Sequence, residues 1–185
     1  MSSVFFVGTG FLVGLVFALG AVLWLMRTRM IVSHRSRRTF DGTCAALETT
    51  VNGTQGWGLP VPTFDLGARF LDKDVMPDDI RRLKIFFLCN SGLASRVIGA
   101  DSRMAGMMPC SWAVYELTDG STWVAGMNIP LMSRMFSGVI GRVMRRVAVT
   151  EERFLETTLG LAEKASDGPG VELPRPAQPQ LQEED

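Results

Sequence analysis

Two cysteines that lie close together in the sequence, with three methionines between them, are the residues best suited to metal or sulfur chemistry. The segment from Cys89 to Cys110 reads CNSGLASRVIGADSRMAGMMPC. Cys89 is expected at the end of one strand and Cys110 at the start of another, so their thiols could lie on neighbouring strands. Soft sulfur ligands suit copper(I), so these cysteines with Met104, Met107 or Met108 could bind copper or relay sulfur. Alternatively the sulfur atoms fill a core, because buried cysteine behaves as a small hydrophobe and methionine fills gaps.

Other kinds of site find little support in the sequence. A structural zinc site needs four ligands, usually with short Cys-x-x-Cys spacings, whereas the chain has three cysteines without that spacing. His34 is the only histidine and stands among arginines, which favours a place in a basic collar over haem ligation. The middle of the chain offers neither a histidine nor paired carboxylates for acid-base catalysis, nor a glycine-rich phosphate loop. We therefore expect no catalytic residues and no cofactor, with copper as the alternative.

The N-terminal segment has the composition of a membrane anchor. No ionisable side chain occurs from Met1 to Met26, and residues 4–26 form an apolar run of 23 residues. A helix of that length covers the hydrocarbon core of a bilayer. Basic residues follow the run instead of preceding it, unlike in a cleaved signal peptide, so a retained transmembrane helix is expected over residues 1–30.

Basic residues after this run indicate which side of the membrane holds the rest of the chain. By the positive-inside rule that side is cytoplasmic, which predicts a single-pass protein of the bacterial inner membrane. The three cysteines are then expected as free thiols in a reducing compartment. The residues expected at the membrane surface here are Arg27, Arg29, Arg35, Arg37 and Arg38.

Small residues in the predicted anchor are spaced for helix pairing. Gly10, Gly14 and Ala18 recur every four residues, and such a ridge lets another transmembrane helix approach closely. The partner could be a second copy or a different subunit. The alternative is that glycine is simply common in membrane helices.

Hydrophobic spacing predicts a small α+β domain over residues 31–130. A helix is expected over 39–52 with Cys44 in the core, and the two prolines within 56–66 restrict that segment to an edge strand or loop. A short helix is expected to begin at Pro77, and residues 84–89 have the apolar run of a central strand. A further helix over about 92–99 should follow, capped by Asn90 or Ser91.

The clearest local signal is a hairpin. Two strand-like segments, SWAVYEL and STWVAGMNI, flank Thr118-Asp119-Gly120, and Asp-Gly supplies the positive φ angles of a tight turn. The predicted domain is therefore an antiparallel sheet covered by helices.

Residues 131–165 are predicted as a basic amphipathic helical extension. From Pro130 the apolar residues form one stripe, and a further helix with an acidic first turn could run from Glu151 to Ala165. The stripe could cover the sheet, lie on an anionic membrane or meet another protein. A proline-rich acidic tail over 166–185 is expected to be flexible. The basic residues opposite the stripe are Arg134, Arg142, Arg145 and Arg146, of which the last three are expected at the membrane surface.

Several motifs in the middle of the chain resemble a known family. CNSGLASRVIGAD after an apolar strand, then MMPCSWAVYELTDG and TWVAGMNIP, are similar in order to the family called domain of unknown function 302. The resemblance covers roughly residues 32–132. It implies a small α+β domain with helices on one face of an antiparallel sheet, often seen as a dimer, and it implies no activity. The additions after Pro130 depart from a typical member.

These observations favour an interaction protein over an enzyme. The zero net charge argues against a nucleic-acid binder that relies on a basic surface. We expect a non-catalytic single-pass subunit that binds or helps assemble a larger respiratory, photosynthetic or transport complex, with lipid and other subunits or a second copy as partners. The alternative function is a thiol site that binds copper(I) or relays sulfur at the cytoplasmic membrane face.

Overall fold

The computed structural model describes the backbone of residues 2–161 and the side chains of residues 14–24 and 26–161. The predicted acidic tail at 166–185 lies outside the described residues. The strands are β1 Ile31–Arg35, β2 Trp57–Gly58, β3 Ile80–Asn90, β4 Cys110–Leu117 and β5 Thr122–Met127. The helices are α1 Ser2–Arg29, α2 Phe40–Asn52, α3 Leu66–Asp72, α4 Ser91–Ala100, α5 Ile129–Ser133 and α6 Gly138–Leu159, with a 3-10 helix at Ser102–Met107.

The described strands form one antiparallel sheet in the order β1-β5-β4-β3-β2. Phe86 of β3, Trp112 of β4 and Gly126 of β5 lie opposite one another, and Val114 pairs with Val124 in the next row. Because side chains alternate across a strand, these residues share one face of the sheet. Helices α2 and α6 pack on that face and complete the core with Phe40, Leu47, Val51, Phe154 and Leu159. The predicted α+β class is confirmed.

Helix α2 follows its sequence closely. Thr39 precedes it, and its side-chain oxygen accepts a hydrogen bond of 3.2 Å from the Gly42 N–H. An N-cap threonine satisfies one of the backbone donors that the first helical turn leaves unpaired. Cys44, Leu47 and Val51 are buried on one side of the helix, so the prediction of Cys44 as a core residue is confirmed.

Removing this cap tests how much it contributes to stability. Thr39→Ala is expected to lower the free energy of unfolding by about 1 kcal/mol, because the Gly42 N–H loses its partner. Ser137 occupies the same position before α6 but makes no capping hydrogen bond with its side chain. Ser137→Ala is therefore the matched control and should change the free energy by less than about 0.5 kcal/mol. Urea unfolding followed by circular dichroism measures both, and equal losses would contradict the assignment.

The predicted helix α4 and the predicted hairpin are also confirmed. The Asn90 side chain accepts a 3.0 Å hydrogen bond from the Leu93 N–H at the start of α4. Strands β4 and β5 are joined by a turn in which Gly120 has φ of +81°. Only glycine adopts that conformation without strain, which explains the Asp-Gly signal.

The short helix predicted at Pro77 is wrong. Ile80 already begins β3 and pairs with Leu117 of β4, and the Thr118 N–H donates to the Asp79 carbonyl. Pairing with β4 therefore uses backbone groups that a helix would need for itself. As a result β3 starts four residues earlier than the predicted residue 84.

The region before β3 was predicted only in part. Strand β2 lies at the edge of the sheet, in agreement with the expected edge strand. Helix α3 was not predicted, although Asp65 caps it by accepting a 2.8 Å hydrogen bond from the Ala68 N–H. A seven-residue helix is too short to show a clear hydrophobic period.

The segment after Pro130 forms two helices that belong to the domain. Helix α5 ends at Ser133, and Gly138, with φ of +59°, opens the single long helix α6. The expected helix boundary near Glu151 is therefore wrong. Residues of α6 also enter the main core, so 131–159 is an integral part of the fold and not an added extension. The predicted apolar stripe contacts the domain through Met132, Val143 and Met144, and α6 continues this contact with Val147, Ala148, Phe154 and Leu159.

Helix α1 extends from the sheet with its described side chains exposed. Phe17 is 79% exposed and Leu23 67% exposed. In the part of the chain whose side chains are described, no helix is both long and apolar enough to cross a membrane. The described side chains of α1 begin at Gly14, so this finding covers only part of the predicted span 4–26. It does not support the transmembrane helix, which stays a prediction.

Candidate functional site

The structure brings together most of the predicted sulfur ligands. Cys110 opens β4 and pairs with Leu88, the neighbour of Cys89 on β3. Cys89, Cys110 and Met108 line one narrow pocket of about 40 Å³, together with Met144 of α6. Met104 and Met107 do not line this pocket. Met104 and Met144 belong to a second core cluster, which also includes Val97 of α4, Met132 of α5 and Val143 of α6, and Met107, Met108 and Cys110 pack against it. Cys44 lies in the main core.

The environment of these thiols keeps them protonated at neutral pH. Burial, with the nearby Glu151 carboxyl, raises the pKa of Cys110 to about 12. Burial also raises the pKa of Cys89, and it raises that of Cys44 to about 11. A protonated thiol is a poor nucleophile. In addition, no group of three or more His, Cys, Asp or Glu side chains placed to hold a metal occurs among the described residues.

A buried carboxyl group lies beside Cys110. Glu151 is on α6 and is only 4% exposed. Burial raises the pKa of Glu151 to about 7, although the neighbouring Cys110 thiol and Trp112 indole N–H act in the opposite direction. Its Oε1 atom has no hydrogen-bond partner within the described part of the chain. A buried polar atom without a partner is costly and therefore needs an explanation.

Glu151 lines a cavity of about 260 Å³ between α6 and the core face of the sheet. The walls are mainly apolar, and the mouth is formed partly by the exposed residues His34 of β1 and Glu152 of α6. Partial burial lowers the pKa of His34. The remaining lining includes Val32, Val124, Ala148 and Leu155.

Trp112 and Gly126 determine the shape of the cavity floor. A β-carbon at Gly126 would lie 2.9 Å from Cδ1 and 3.2 Å from Nε1 of Trp112. Glycine at this position therefore lets the indole ring lie close against β5. The result is an apolar cavity lined by a buried glutamate, an arrangement typical of small-molecule sites.

Two of the polar residues of this cavity, His34 and Glu151, were not connected with a cavity from the sequence. His34 was interpreted as part of the basic collar, and Glu151 as the acidic start of a helix. One signal could have identified Glu151, because Val143, Val147, Glu151 and Phe154 follow one another at intervals of four, four and three. An acidic residue on the apolar stripe of a helix is a candidate functional group.

The other predicted sites stay predictions. Apart from the backbone of α1 itself and the residues next to Gly14, no described atom lies within 4 Å of a β-carbon placed at Gly14, and Ala18 is exposed, so this part of the ridge is open among the described residues. The surroundings of Gly10 lie outside the described residues. All of the predicted membrane-surface arginines are exposed: Arg27, Arg29, Arg35, Arg37, Arg38, Arg142, Arg145 and Arg146.

Comparison with known proteins identifies relatives of the fold. The family model described as "Domain of unknown function DUF302" matches residues 32–157, which extends beyond the expected 32–132 into α6. The crystal structure of an uncharacterized conserved protein DUF302 from Bacillus stearothermophilus is similar, with a TM-score of 0.60 and 17% sequence identity. The similarity covers 70% of this chain and 98% of that chain, and at this identity it shows the fold alone. No curated protein matches the chain.

Proposed function

Because this chain belongs to the DUF302 family, whose name assigns no activity, we propose its function from its own structure: it is a non-catalytic membrane subunit. It binds or helps assemble a larger membrane protein complex of the respiratory, photosynthetic or transport type. Helix α1 spans the lipid bilayer, and the domain stays at the cytoplasmic face. The observation that carries this proposal is the exposed apolar surface of α1.

The described part of α1 exposes a continuous apolar surface. Val16, Phe17, Leu23 and Trp24 are each more than 60% exposed, and α1 makes no extensive contact with any other described element. Large exposed apolar surfaces on soluble proteins usually mark an interaction site, because their contact with water is unfavourable. This surface therefore requires a covering environment.

The composition of the helix supports lipid as that environment. The apolar run of 23 residues would be about 35 Å long as a helix, compared with about 30 Å for the hydrocarbon core of a bilayer. Arg27 and Arg29 follow it at the C-terminal end of the helix. This order suits a helix whose basic end lies at the cytoplasmic headgroups.

The domain is joined tightly to this helix. Only Met30 separates the end of α1 from the start of β1. The Asn128 side chain donates a 2.9 Å hydrogen bond to the Arg29 carbonyl, and the Asn128 N–H donates a 2.8 Å bond to the Met30 carbonyl. The anchor and the sheet are therefore held together, as expected of a subunit that presents its domain in a fixed position.

A thiol site is the less favoured alternative. Cys89, Cys110 and Met108 do share a pocket, but the raised pKa values of both cysteines disfavour the thiolate form that binds metal. The interaction role requires no thiolate. Metal content and assembly can be measured on the same sample.

Membrane attachment is tested by placing charge in the anchor. The double variant Leu15→Arg, Phe17→Arg is expected to move the protein from membranes into the soluble fraction. The physical reason is that arginine near the bilayer centre costs about 2.5–3.5 kcal/mol per residue. Met135 and Val149 are also exposed apolar residues but lie outside α1, so Met135→Arg, Val149→Arg is the matched control. Membranes washed at alkaline pH are assayed for the protein, and an unchanged distribution of the first variant would refute the anchor.

Assembly is then tested separately in mild detergent. We expect the wild-type protein in a fraction larger than a monomer with its micelle, and Gly14→Leu should reduce that size by blocking helix approach. Gly20→Leu is the control, because a side chain at Gly20 also meets nothing within 4 Å but lies off the ridge. Copper is measured in the same fractions, and a Cys89→Ser, Cys110→Ser variant should assemble normally. If the wild-type protein contained stoichiometric copper and the double variant did not, the thiol site would be favoured instead.

A further inference from the structure

The cavity between α6 and the sheet is independent of the proposed role of α1. None of its lining residues belongs to α1, and its walls come from β1, β4, β5, the start of α5 and α6. At about 260 Å³ it exceeds the size at which an apolar protein cavity accepts benzene, about 150 Å³. A molecule with one small ring or a short alkyl chain therefore fits inside it.

The unpaired oxygen of Glu151 indicates what such a molecule must carry. Glu151 is more than nine-tenths buried and lines the cavity, and its Oε1 atom lacks a hydrogen-bond donor in the described chain. A carboxylate oxygen accepts hydrogen bonds, so the complementary ligand group is an N–H or O–H donor. The donors near this carboxyl group, the Cys110 thiol and the Trp112 indole N–H, leave Oε1 without a partner.

The charges around the cavity favour a cationic donor. Glu152 adds a second carboxyl group at the mouth, and the lining described by the structure contains no lysine or arginine. His34 lies across the mouth on β1, and its lowered pKa favours the neutral ring near pH 7. A positive charge on the ligand therefore meets carboxyl groups and no opposing cation.

We propose that this cavity binds a small primary amine with an apolar body, whose ammonium group pairs with the carboxylate of Glu151. The apolar walls contact the body of the amine, and the Trp112 ring on the cavity floor offers an aromatic surface beside it. Charge-assisted hydrogen bonds are stronger than neutral ones, so the ammonium group supplies specificity as well as affinity. The inference does not rest on the proposed membrane role.

Calorimetric titration with two probes of similar shape tests the proposal. The full chain in mild detergent is titrated with phenethylamine and with ethylbenzene at pH 7.5. The amine is expected to bind at least about tenfold more tightly, and Glu151→Gln should remove that advantage, because a neutral amide replaces the carboxylate. Glu156→Gln is the matched control and should change the affinity for the amine by less than about threefold, since Glu156 lies on the same helix, is exposed to solvent and does not line the cavity.

Comparison between variants also corrects for the fraction of each probe that dissolves in the detergent, because all variants are titrated in the same detergent. Circular dichroism establishes that Glu151→Gln is folded before it is titrated. Equal affinities for both probes would overturn amine recognition and leave an unspecific apolar cavity. The site itself would be overturned if neither probe bound. It would also be overturned if Glu151→Gln bound the amine as tightly as the wild-type protein does. None of these results bears on the membrane attachment of α1.

Discussion

Deprotonation of Glu151 is expected to cost the protein about 3 kcal/mol of stability as the pH rises from 4.5 to 7.5. Burial raises the pKa of Glu151 from 4.5 to about 7, so the folded state holds this proton more tightly than the unfolded state does. The resulting stabilisation is complete below about pH 4.5 and disappears as the pH rises through the folded pKa. The difference between the two pKa values corresponds to about 3 kcal/mol, at about 1.4 kcal/mol for each pH unit.

Other groups act outside this pH range or in the opposite direction. The lowered pKa of His34 favours the folded state above about pH 6.5 and disfavours it below, so His34 partly offsets the effect of Glu151. Cys110, the other titratable neighbour, has its pKa raised to about 12 and keeps its proton throughout the range. The lowered pKa values of three other carboxyl groups affect stability below the range: Asp41, Asp101 and Asp119.

Urea unfolding at four pH values measures this effect. Glu151→Gln should flatten the dependence between pH 4.5 and 7.5 because the amide does not titrate. Glu152→Gln removes a carboxyl group from the neighbouring exposed position and should leave the dependence in place. If wild type and Glu151→Gln showed the same slope, Glu151 would not be the group responsible.

Replacing Gly141 with alanine is expected to lower the free energy of unfolding by about 3 kcal/mol, at the upper end of the usual cost of overpacking. A β-carbon at Gly141 would overlap the carbonyl oxygen of Phe136 and lie 2.9 Å from its carbonyl carbon. Both contacts are with backbone atoms, which cannot rotate away as a flexible side chain can. The chain between α5 and α6 would have to move, and this would disturb the packing of α6 on the core.

Gly99 provides the control for this substitution. It also lies in a helix, α4, but a β-carbon there meets no atom within 4 Å. Gly99→Ala should therefore stabilise the protein by up to about 1 kcal/mol, because alanine favours the helix and reduces the freedom of the unfolded chain. Thermal and urea unfolding of both variants measure the contrast. If Gly141→Ala did not destabilise the protein relative to Gly99→Ala, the Phe136 backbone would have to move at little cost.

The local elements of the fold could be predicted because each has a signal within a few residues. Thr39 before α2, Asn90 before α4 and Asp119-Gly120 between β4 and β5 are examples. Strand β1 has no such signal, since its basic residues suggested a surface collar. It forms through pairing with β5, in which His34 lies opposite Val124 about ninety residues later. Such distant pairing is not readable from local sequence.

The same distinction between local and distant signals separates the sulfur site, which could be predicted in part, from the carboxyl site, which could not. Cys89 and Cys110 could be placed near each other because they lie at adjoining ends of predicted strands. The cavity around Glu151 depends on the position of α6 over the sheet and on the Trp112 ring against Gly126, and neither is encoded in local spacing. Only the place of Glu151 on an apolar stripe was available from the sequence.

The junction between α1 and β1 also limits how the domain can move. A flexible linker would let a tethered domain search a volume that grows with linker length. Here a single residue, Met30, separates helix from strand, and it packs against the second core cluster. Rotation of the helix about its axis is therefore transmitted to the sheet instead of being absorbed between them. If α1 is anchored as proposed, the direction in which the cavity opens is therefore determined by the orientation of that helix.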